Sequence, residues 1–375
     1  MKEIFLSGNR IVIKIGTNLL ADRAKGINSE RIDTIVRSVS SLQSRGKQVA
    51  IVTSGAIGAG MLLLGMKDRP RAIPEKQAAA AIGQPILMEA YETAFRKHHR
   101  TIAQILLTKD DLVNRARYNN TKNTFSALFE RGVVPIVNEN DTVAVEEIKL
   151  GDNDNLSALV ANLIQADLLI ILSDVDGLFS EDPSKNPNAE LIPLVEKFTP
   201  HIEKLAKRHR NELSTGGMIT KIQAAKQCVS AGIAVIIANG TRPNVLDEIF
   251  TGGIYGTLFL PAKNKLNVRK KWIGFVSDSK GTIVVDDGAK SALLRRQTSL
   301  LPSGVIEVRG DFITDDTISV LDTAGVEIAR GVAGFTSSDL NKIKGKKTSE
   351  IQKILNRKSS GEVIHRNNLV VIGAE

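Results

Sequence analysis

The chain has one cysteine, Cys228, and one tryptophan, Trp272, in 375 residues. A single cysteine excludes an intramolecular disulfide framework and any cysteine-rich metal site. Aromatic residues make up only 4% of the chain, and they do not interleave with basic residues. Such a sequence offers little for stacking nucleic-acid bases. No apolar run approaches the ~18 residues that a membrane-spanning helix needs. The N-terminus has only a short apolar patch before Ser7-Gly8-Asn9-Arg10, unlike a signal peptide. A cytoplasmic protein with no membrane partner is the expectation. Three nucleotide-binding signatures are also missing. There is no G-x-x-x-x-G-K-[ST], no H-R-D with D-F-G, and Gly55-x-x-Gly58-x-Gly60 has the wrong order for G-x-G-x-x-G. P-loop, protein-kinase and dinucleotide-fingerprint chemistry are therefore excluded.

What is present is apolar material for a large core, at 42% of residues, and a net charge of +9 from 50 basic and 41 acidic residues. That balance suits anionic partners or a solvated basic surface. Over roughly the first 260 residues, short apolar runs alternate with helical patterns. The runs are Arg10–Ile15, Gln48–Thr53, Thr101–Leu107, Val133–Asn138, Leu168–Ser173 and Ala234–Ala238. Nearly continuous apolar character indicates strands buried on both faces of a parallel sheet. Helical stretches such as Ser29–Ser44, Glu75–Lys97 and Asn155–Gln165 lie between them. The pattern predicts an α/β fold. Near Pro261 the style changes. A basic stretch leads into short alternating runs at Thr282–Asp286, Val305–Arg309, Thr317–Leu321 and Val326–Gly331, with one helix near Ala289–Arg296. This reads as a small β-rich domain.

Phosphate chemistry is suggested where strands turn into helices. The first strand ends Lys14-Ile15-Gly16-Thr17-Asn18 and the second ends Thr53-Ser54-Gly55-Ala56. Backbone N–H groups at such turns are unpaired, and the helix dipole favours an anion. Each turn alone is equally a tight connection. Lys14 is harder to dismiss, because a lysine ending an apolar strand is seldom buried without a partner. A third turn, Ser214-Thr215-Gly216-Gly217-Met218-Ile219-Thr220-Lys221, opens a helix running to Ala231 and adds a second lysine. Two cations flanking a transferring phosphoryl group would fit phosphoryl transfer, which needs positioning and charge more than covalent chemistry.

Two further clusters, Asn138-Glu139-Asn140-Asp141 and Gly151-Asp152-Asn153-Asp154-Asn155, are rich in carboxylates and amides. They are either hairpin turns or a receptor for a small zwitterion. In the second reading carboxylates accept from an α-ammonium and amides donate to an α-carboxylate. Asp154 could instead hold a lysine in place. Histidines His98-His99 read as solvated, and Cys228 as a small buried residue within a helix.

These five motifs, in this order along the chain, resemble the amino acid kinase family over about residues 8–260. Residues 278–357 resemble a PUA domain. The resemblance implies a three-layer αβα sandwich with a mostly parallel central sheet, followed by a small β-rich PUA-like domain. It divides the chain into a kinase domain at 1–262, a basic linker at 263–277, the PUA-like domain at 278–357 and a C-terminal tail at 358–375. The closest branch phosphorylates the side-chain carboxylate of L-glutamate with ATP and Mg²⁺, at the start of proline synthesis. In that branch proline is commonly an inhibitor, and a dimer or tetramer is the expected assembly. Carried over by motif, Lys14 and Lys221 would stabilise the transferring group and Asp154 would organise them. Ser54, Asp141 and Asn153 would bind glutamate, with Asn138 and Asp152 close by. Lys14 and Gly16, Ser173 and Asp174, and the run Thr215, Gly216, Gly217, Met218, Ile219, Thr220 and Lys221 would bind ATP. No protein-only cage for Mg²⁺ is visible, which suits a metal held largely by phosphates and water.

The nearest alternatives are other members of the family, acting on aspartate, N-acetylglutamate, carbamate or a nucleoside monophosphate. An acid without a free ammonium would leave the acidic cluster with less to do. RNA binding by residues 278–357 is a reading from a different class, motivated by the PUA resemblance and the basic linker.

Overall fold

The structure is a computed structural model that describes residues 8–22, 26–66, 68–143, 153–183, 185–208, 217–253, 255–261, 279–296, 298–356 and 361–372. The chain forms two compact units, 1–265 and 266–375. Linker residues 263–277 lie outside the described residues.

Among the described residues, the main sheet of the first unit has eight strands: β1 (Arg10–Ile15), β2 (Gln48–Val52), β3 (Ile102–Leu107), β4 (Val134–Glu139), β5 (Leu168–Ser173), β6 (Leu194–Val195), β7 (Ala234–Asn239) and β8 (Thr257–Phe259). Their spatial order is β3-β4-β2-β1-β5-β7-β8-β6. All pairs are parallel except β8 with β7. The six long strands fall where the apolar runs predicted them, within about a residue. The two short edge strands, β6 and β8, carry too few residues to show a period.

Strand alternation decides which layer each side chain enters. Ile11, Ile13 and Ile15 of β1 share a core with Ile51, Ile170, Leu172 and Ile236. Helix α1 (Ser29–Ser44) adds Ile32, Val36 and Val39 to that core, and helix α3 (Ile73–Arg96) adds Leu87, Tyr91 and Phe95. Val12 and Lys14 therefore face the opposite layer. There lie α5 (Asn153–Leu163) and α6 (Met218–Ser230), with Leu156, Val160, Ile222, Ala225 and Cys228 buried. Helix α1 starts cleanly because the Asn28 side chain accepts from the Arg31 N–H at 3.0 Å, closing one of the free donors of the first turn.

Helix α2 (Ala56–Leu63) follows β2 directly and packs on α3. Its glycine pattern has a packing cause. A Cβ on Gly60 would sit 1.8 Å from the Ala79 carbonyl oxygen, and one on Gly83 would sit 1.8 Å from that of Ala56. Gly55 takes φ 108° at the helix N-cap, a conformation that favours glycine. Of the Gly55/Gly58/Gly60 pattern, then, Gly55 serves the turn and Gly60 the helix contact.

Among the described residues the second unit has five strands: β9 (Gly281–Val285), β10 (Val305–Arg309), β11 (Thr317–Leu321), β12 (Glu327–Val332) and β13 (Leu369–Val371), in the order β10-β9-β11-β12-β13. Its core gathers Ile283, Phe312, Ile318, Val320, Phe335, Leu340 and Ile364. The expected tail, 358–375, is corrected here: its Leu369–Val371 segment pairs with β12, Gly331 opposite Leu369 and Ala329 opposite Val371. The apolar segment closes the sheet edge although it is too short to announce a strand. Two helices, Ser337–Ile343 and Thr348–Leu355, stand beside the expected one, which spans Asp287–Arg296.

In an open helix Gly→Ala would add about 1 kcal/mol of stability. Here the added methyl must push two helices apart. Gly83→Ala is expected to destabilise the protein by about 1–3 kcal/mol or more, lowering Tm by roughly 3–10 °C in a thermal melt. A rise in Tm would mean that α2 and α3 are not in backbone contact.

Candidate active site

At the carboxyl ends of β1, β2, β4 and β5, the first unit gathers a set of buried polar side chains, among them Lys14, Ser54, Asn138, Asp154, Ser173 and Lys221. Lys14 enters from β1 on the face away from the isoleucines. Asp154 stands in the first turn of α5, and Lys221 in the first turn of α6. Lys14 Nζ lies 2.6 Å from Asp154 Oδ1 and Lys221 Nζ 3.1 Å from Asp154 Oδ2. The Thr220 hydroxyl donates to Oδ2 at 2.8 Å. Asp154 is fully buried, and the two lysines are 4% and 5% exposed. Burial pushes the Asp154 carboxyl up. The charges of Lys14 and Lys221, with the hydrogen bonds from Lys14 and Thr220, outweigh it and hold the group at about 2. It is ionised at neutral pH. One carboxylate between two ammonium groups leaves the cluster with a net charge of +1. In a nearly dry site that excess charge is a strong attractor for an anion.

A second set lies beside the first. Asn138 is at the end of β4 and is 3% exposed. Its Oδ1 accepts from the Glu139 N–H at 2.9 Å and from Asn153 Nδ2 at 3.1 Å. Asn153 Nδ2 also donates to the Thr53 carbonyl at 2.6 Å and the Ser54 hydroxyl at 2.7 Å. So Ser54, Asn138 and Asn153 come together from three elements. The NH₂ of Asn153 is spent on the protein itself, and its carbonyl oxygen has no hydrogen-bond partner among the described residues. Asp141 stands on the turn after β4 and is half-buried. Asp152 lies outside the described residues.

The third group follows β5. Ser173 ends the strand, and Asp174 accepts from the Ser173 hydroxyl at 3.1 Å and from Asn18 Nδ2 at 2.8 Å. Burial pushes the Asp174 carboxyl up, but the Asn18 amide, a backbone N–H, the Ser173 hydroxyl and the charge of Lys221 hold it below the usual range. Gly16 donates its N–H to the Leu172 carbonyl at 3.0 Å, drawing the β1 turn against β5. Gly217 caps α6, and Met218, Ile219, Thr220 and Lys221 form its first turn. Thr215 and Gly216 lie outside the described residues. Among the described residues no group of three histidine, cysteine or acidic side chains converges to hold a metal.

Sequence reasoning gave no role to Asn18, which tethers Asp174, or to Gln84 and Tyr91 of α3. Tyr91 shares a 2.9 Å hydrogen bond with the Thr53 hydroxyl, and Gln84 Oε1 accepts from Asn138 Nδ2 at 2.9 Å. The available signal was faint: one glutamine on an apolar helix face, between a glycine and a proline.

The amino acid kinase family model matches residues 9–239, which carry all three groups. The chain belongs to the amino acid kinase family. It is a kinase, with a β-rich second unit whose residues 281–355 match the PUA domain. Glutamate 5-kinase of Thermoanaerobacter sp. is 49% identical over 363 residues, covering 97% of this chain and 98% of its own. The glutamate 5-kinase of Moorella thermoacetica is 48% identical over 364 residues, with 97% and 96% covered. That of a Geobacter species is 47% identical over 371 residues, with 99% and 100% covered. As an amino acid kinase, the chain is related to these enzymes across both units.

Asp154 links the cluster to acid stability. Its carboxyl is lower in the folded chain than the ordinary 3.8. A depressed carboxylate contributes stability above the unfolded value, and the contribution is lost as pH falls through the folded one. Asp154→Asn leaves two buried ammonium groups without a counter-charge, at a cost of about 3–5 kcal/mol near neutral pH. The gap between wild type and variant in denaturant unfolding should narrow by roughly 2 kcal/mol between about pH 4 and pH 2. A gap independent of pH would show that Asp154 is not held ionised by the lysines.

Proposed function

We propose that the chain transfers the γ-phosphoryl group of ATP to the side-chain carboxylate of L-glutamate, giving L-glutamyl 5-phosphate for proline biosynthesis. The observation that carries this reading is the buried Lys14–Asp154–Lys221 cluster. Its excess positive charge sits where the β1 turn, the β5 end and the start of α6 meet, as an acyl-phosphate-forming transition state requires. The near-identity in length and the 47–49% identity to enzymes named glutamate 5-kinase support the choice of substrate.

In this reading Lys14 and Lys221 bracket the transferring group and neutralise the charge that develops on its oxygens. Asp154 fixes their spacing, one ammonium on each oxygen. The acceptor carboxylate is already ionised at neutral pH and needs no general base. Asp141 and the side-chain carbonyl of Asn153 accept from the α-ammonium, and Ser54 borders the same pocket. Ser173, Asp174 and residues 215–221 hold the nucleotide. When bound with the nucleotide, Mg²⁺ would be held largely by the phosphates and water and would supply charge neutralisation there. The donor set fits a hard cation that keeps several waters and needs few carboxylates. Proline carries an α-carboxylate and an α-nitrogen, as glutamate does, and is proposed as an inhibitor competing for the acceptor pocket. No helix among the described residues is long and apolar enough to cross a membrane. We place the enzyme in the cytoplasm, as a homo-oligomer.

Full-length protein with Mg·ATP should release ADP in the presence of L-glutamate and, with hydroxylamine added, form a hydroxamate. Turnover with L-aspartate or N-acetyl-L-glutamate instead would keep the mechanism and change the substrate. Lys221→Ala is expected to lower kcat by about 10²–10³-fold with a much smaller change in glutamate KM. An unchanged kcat would remove Lys221 from the transfer step. Asp141→Ala should raise glutamate KM by about tenfold, the loss of one charged contact, with ATP KM unmoved. A selective loss of ATP affinity would assign the loop after β4 to the nucleotide.

A further inference from the structure

Gln84 sits in the middle of α3 with only 9% of its surface exposed. Its neighbours on the inner face of that helix, Ala80, Leu87 and Tyr91, are buried, and Leu87 and Tyr91 belong to the main core. A glutamine here needs a reason, because an apolar side chain of the same size would meet no desolvation cost. The reason on the page is one hydrogen bond: Gln84 Oε1 accepts from Asn138 Nδ2 at 2.9 Å. Gln84 Nε2 is buried and has no partner among the described residues.

The direction of this bond is fixed by the backbone. Asn138 Oδ1 accepts from the Glu139 N–H, so its NH₂ must point the other way, at Gln84. Asn153 must present its NH₂ to the Thr53 carbonyl, so it donates to Asn138 and keeps its own oxygen free of any partner among the described residues. Three amides thus form one directed chain, Asn153 to Asn138 to Gln84, running from the pocket surface into the core. Gly83 brings α3 into the backbone of α2, because a Cβ there would stand 1.8 Å from the Ala56 carbonyl and 2.5 Å from the Gly60 nitrogen. Without that approach, the helix bearing Gln84 would sit further from β2 and α2.

We propose that Gln84 is a positioning residue for the acceptor substrate: it anchors the inner end of the Asn138–Asn153 amide chain, and so fixes the carbonyl that Asn153 turns toward the acceptor's ammonium. The proposal rests on the acceptor pocket assigned above. Removing the Gln84 oxygen leaves the Asn138 NH₂ buried and unpaired. Asn138 then rotates to find a partner, and Asn153 loses a contact. Among the described residues, Ser173, Asp174 and the first turn of α6 share no hydrogen bond with the three amides.

The test is steady-state kinetics of the full-length wild type, Gln84→Met and Gln84→Glu, with thermal melts of each. Gln84→Met is expected to raise acceptor KM about tenfold, with ATP KM and kcat within about twofold. Gln84→Glu keeps an oxygen facing Asn138 Nδ2 and should stay within about threefold of wild type in acceptor KM. An unchanged acceptor KM in Gln84→Met would overturn the proposal. So would acceptor and ATP KM rising together, which is the mark of general loosening, or a Glu variant as poor as the Met variant. Asn138→Ala adds a second route. If Gln84 acts through Asn138, Gln84→Met/Asn138→Ala matches Asn138→Ala in acceptor KM. Multiplying effects would place Gln84 in a separate role. Wild-type turnover in the same assay tests the glutamate reading by itself. If the wild type uses another acid, the ratios are read with that acid.

Discussion

A single carboxylate, Asp154, holds two lysines that arrive from different parts of the chain. Lys14 comes from the first strand and Lys221 from a helix about two hundred residues later. Neither could be buried alone, since an unpaired ammonium in a dry interior costs several kcal/mol. Asp154 makes the burial possible and falls one charge short of neutralising it. That shortfall suits the cluster to an anion, which is the basis of the phosphoryl-transfer reading proposed above. The hydrogen bond from Thr220 keeps the carboxylate from turning, so that each oxygen stays with its own lysine.

The fold supplies that arrangement through a few steric rules. Alternation along β1 sends the isoleucines into one layer and Lys14 into the other. Parallel strands bring the ends of β1, β2, β4 and β5 to the same edge, where ligands bind in open α/β sheets. Glycines then set the close approaches. Gly55 permits the left-handed start of α2, and Gly60 and Gly83 let α2 and α3 meet backbone to backbone. That contact carries α3 toward β2, with Tyr91 hydrogen-bonded to Thr53 and Gln84 to Asn138. Helix packing and polar positioning are therefore one design on this side of the sheet.

The two halves of the site use charge differently. The lysine cluster depends on a surplus of positive charge. The Ser54, Asn138 and Asn153 group depends on neutral amides whose direction is fixed by backbone donors and acceptors. A directed chain of neutral groups can present one carbonyl to a small cation without the cost of burying another full charge. The separation suits a proposed reaction in which one partner carries several negative charges and the other a single ammonium.

Much of this was legible in the sequence. The six long strands, the first helix and both lysine-bearing turns follow from apolar runs, capping residues and glycine, all of which act over a few residues. Asp154 could be suspected there only through the motif resemblance, because a glycine–asparagine–aspartate run reads equally well as a turn. Strands β6, β8 and β13 were not legible, since two or three residues carry no period and their pairing is decided by distant partners. The same limit hid Gln84, Tyr91 and Asn18. Each is an ordinary residue in its local segment and gains its role only from a neighbour far along the chain. Sequence determined the elements and their polar ends, through local sterics and hydrogen bonding. Tertiary structure alone decided which charges would share Asp154 and which amides would face the pocket, because burial and distance belong to the packed layers.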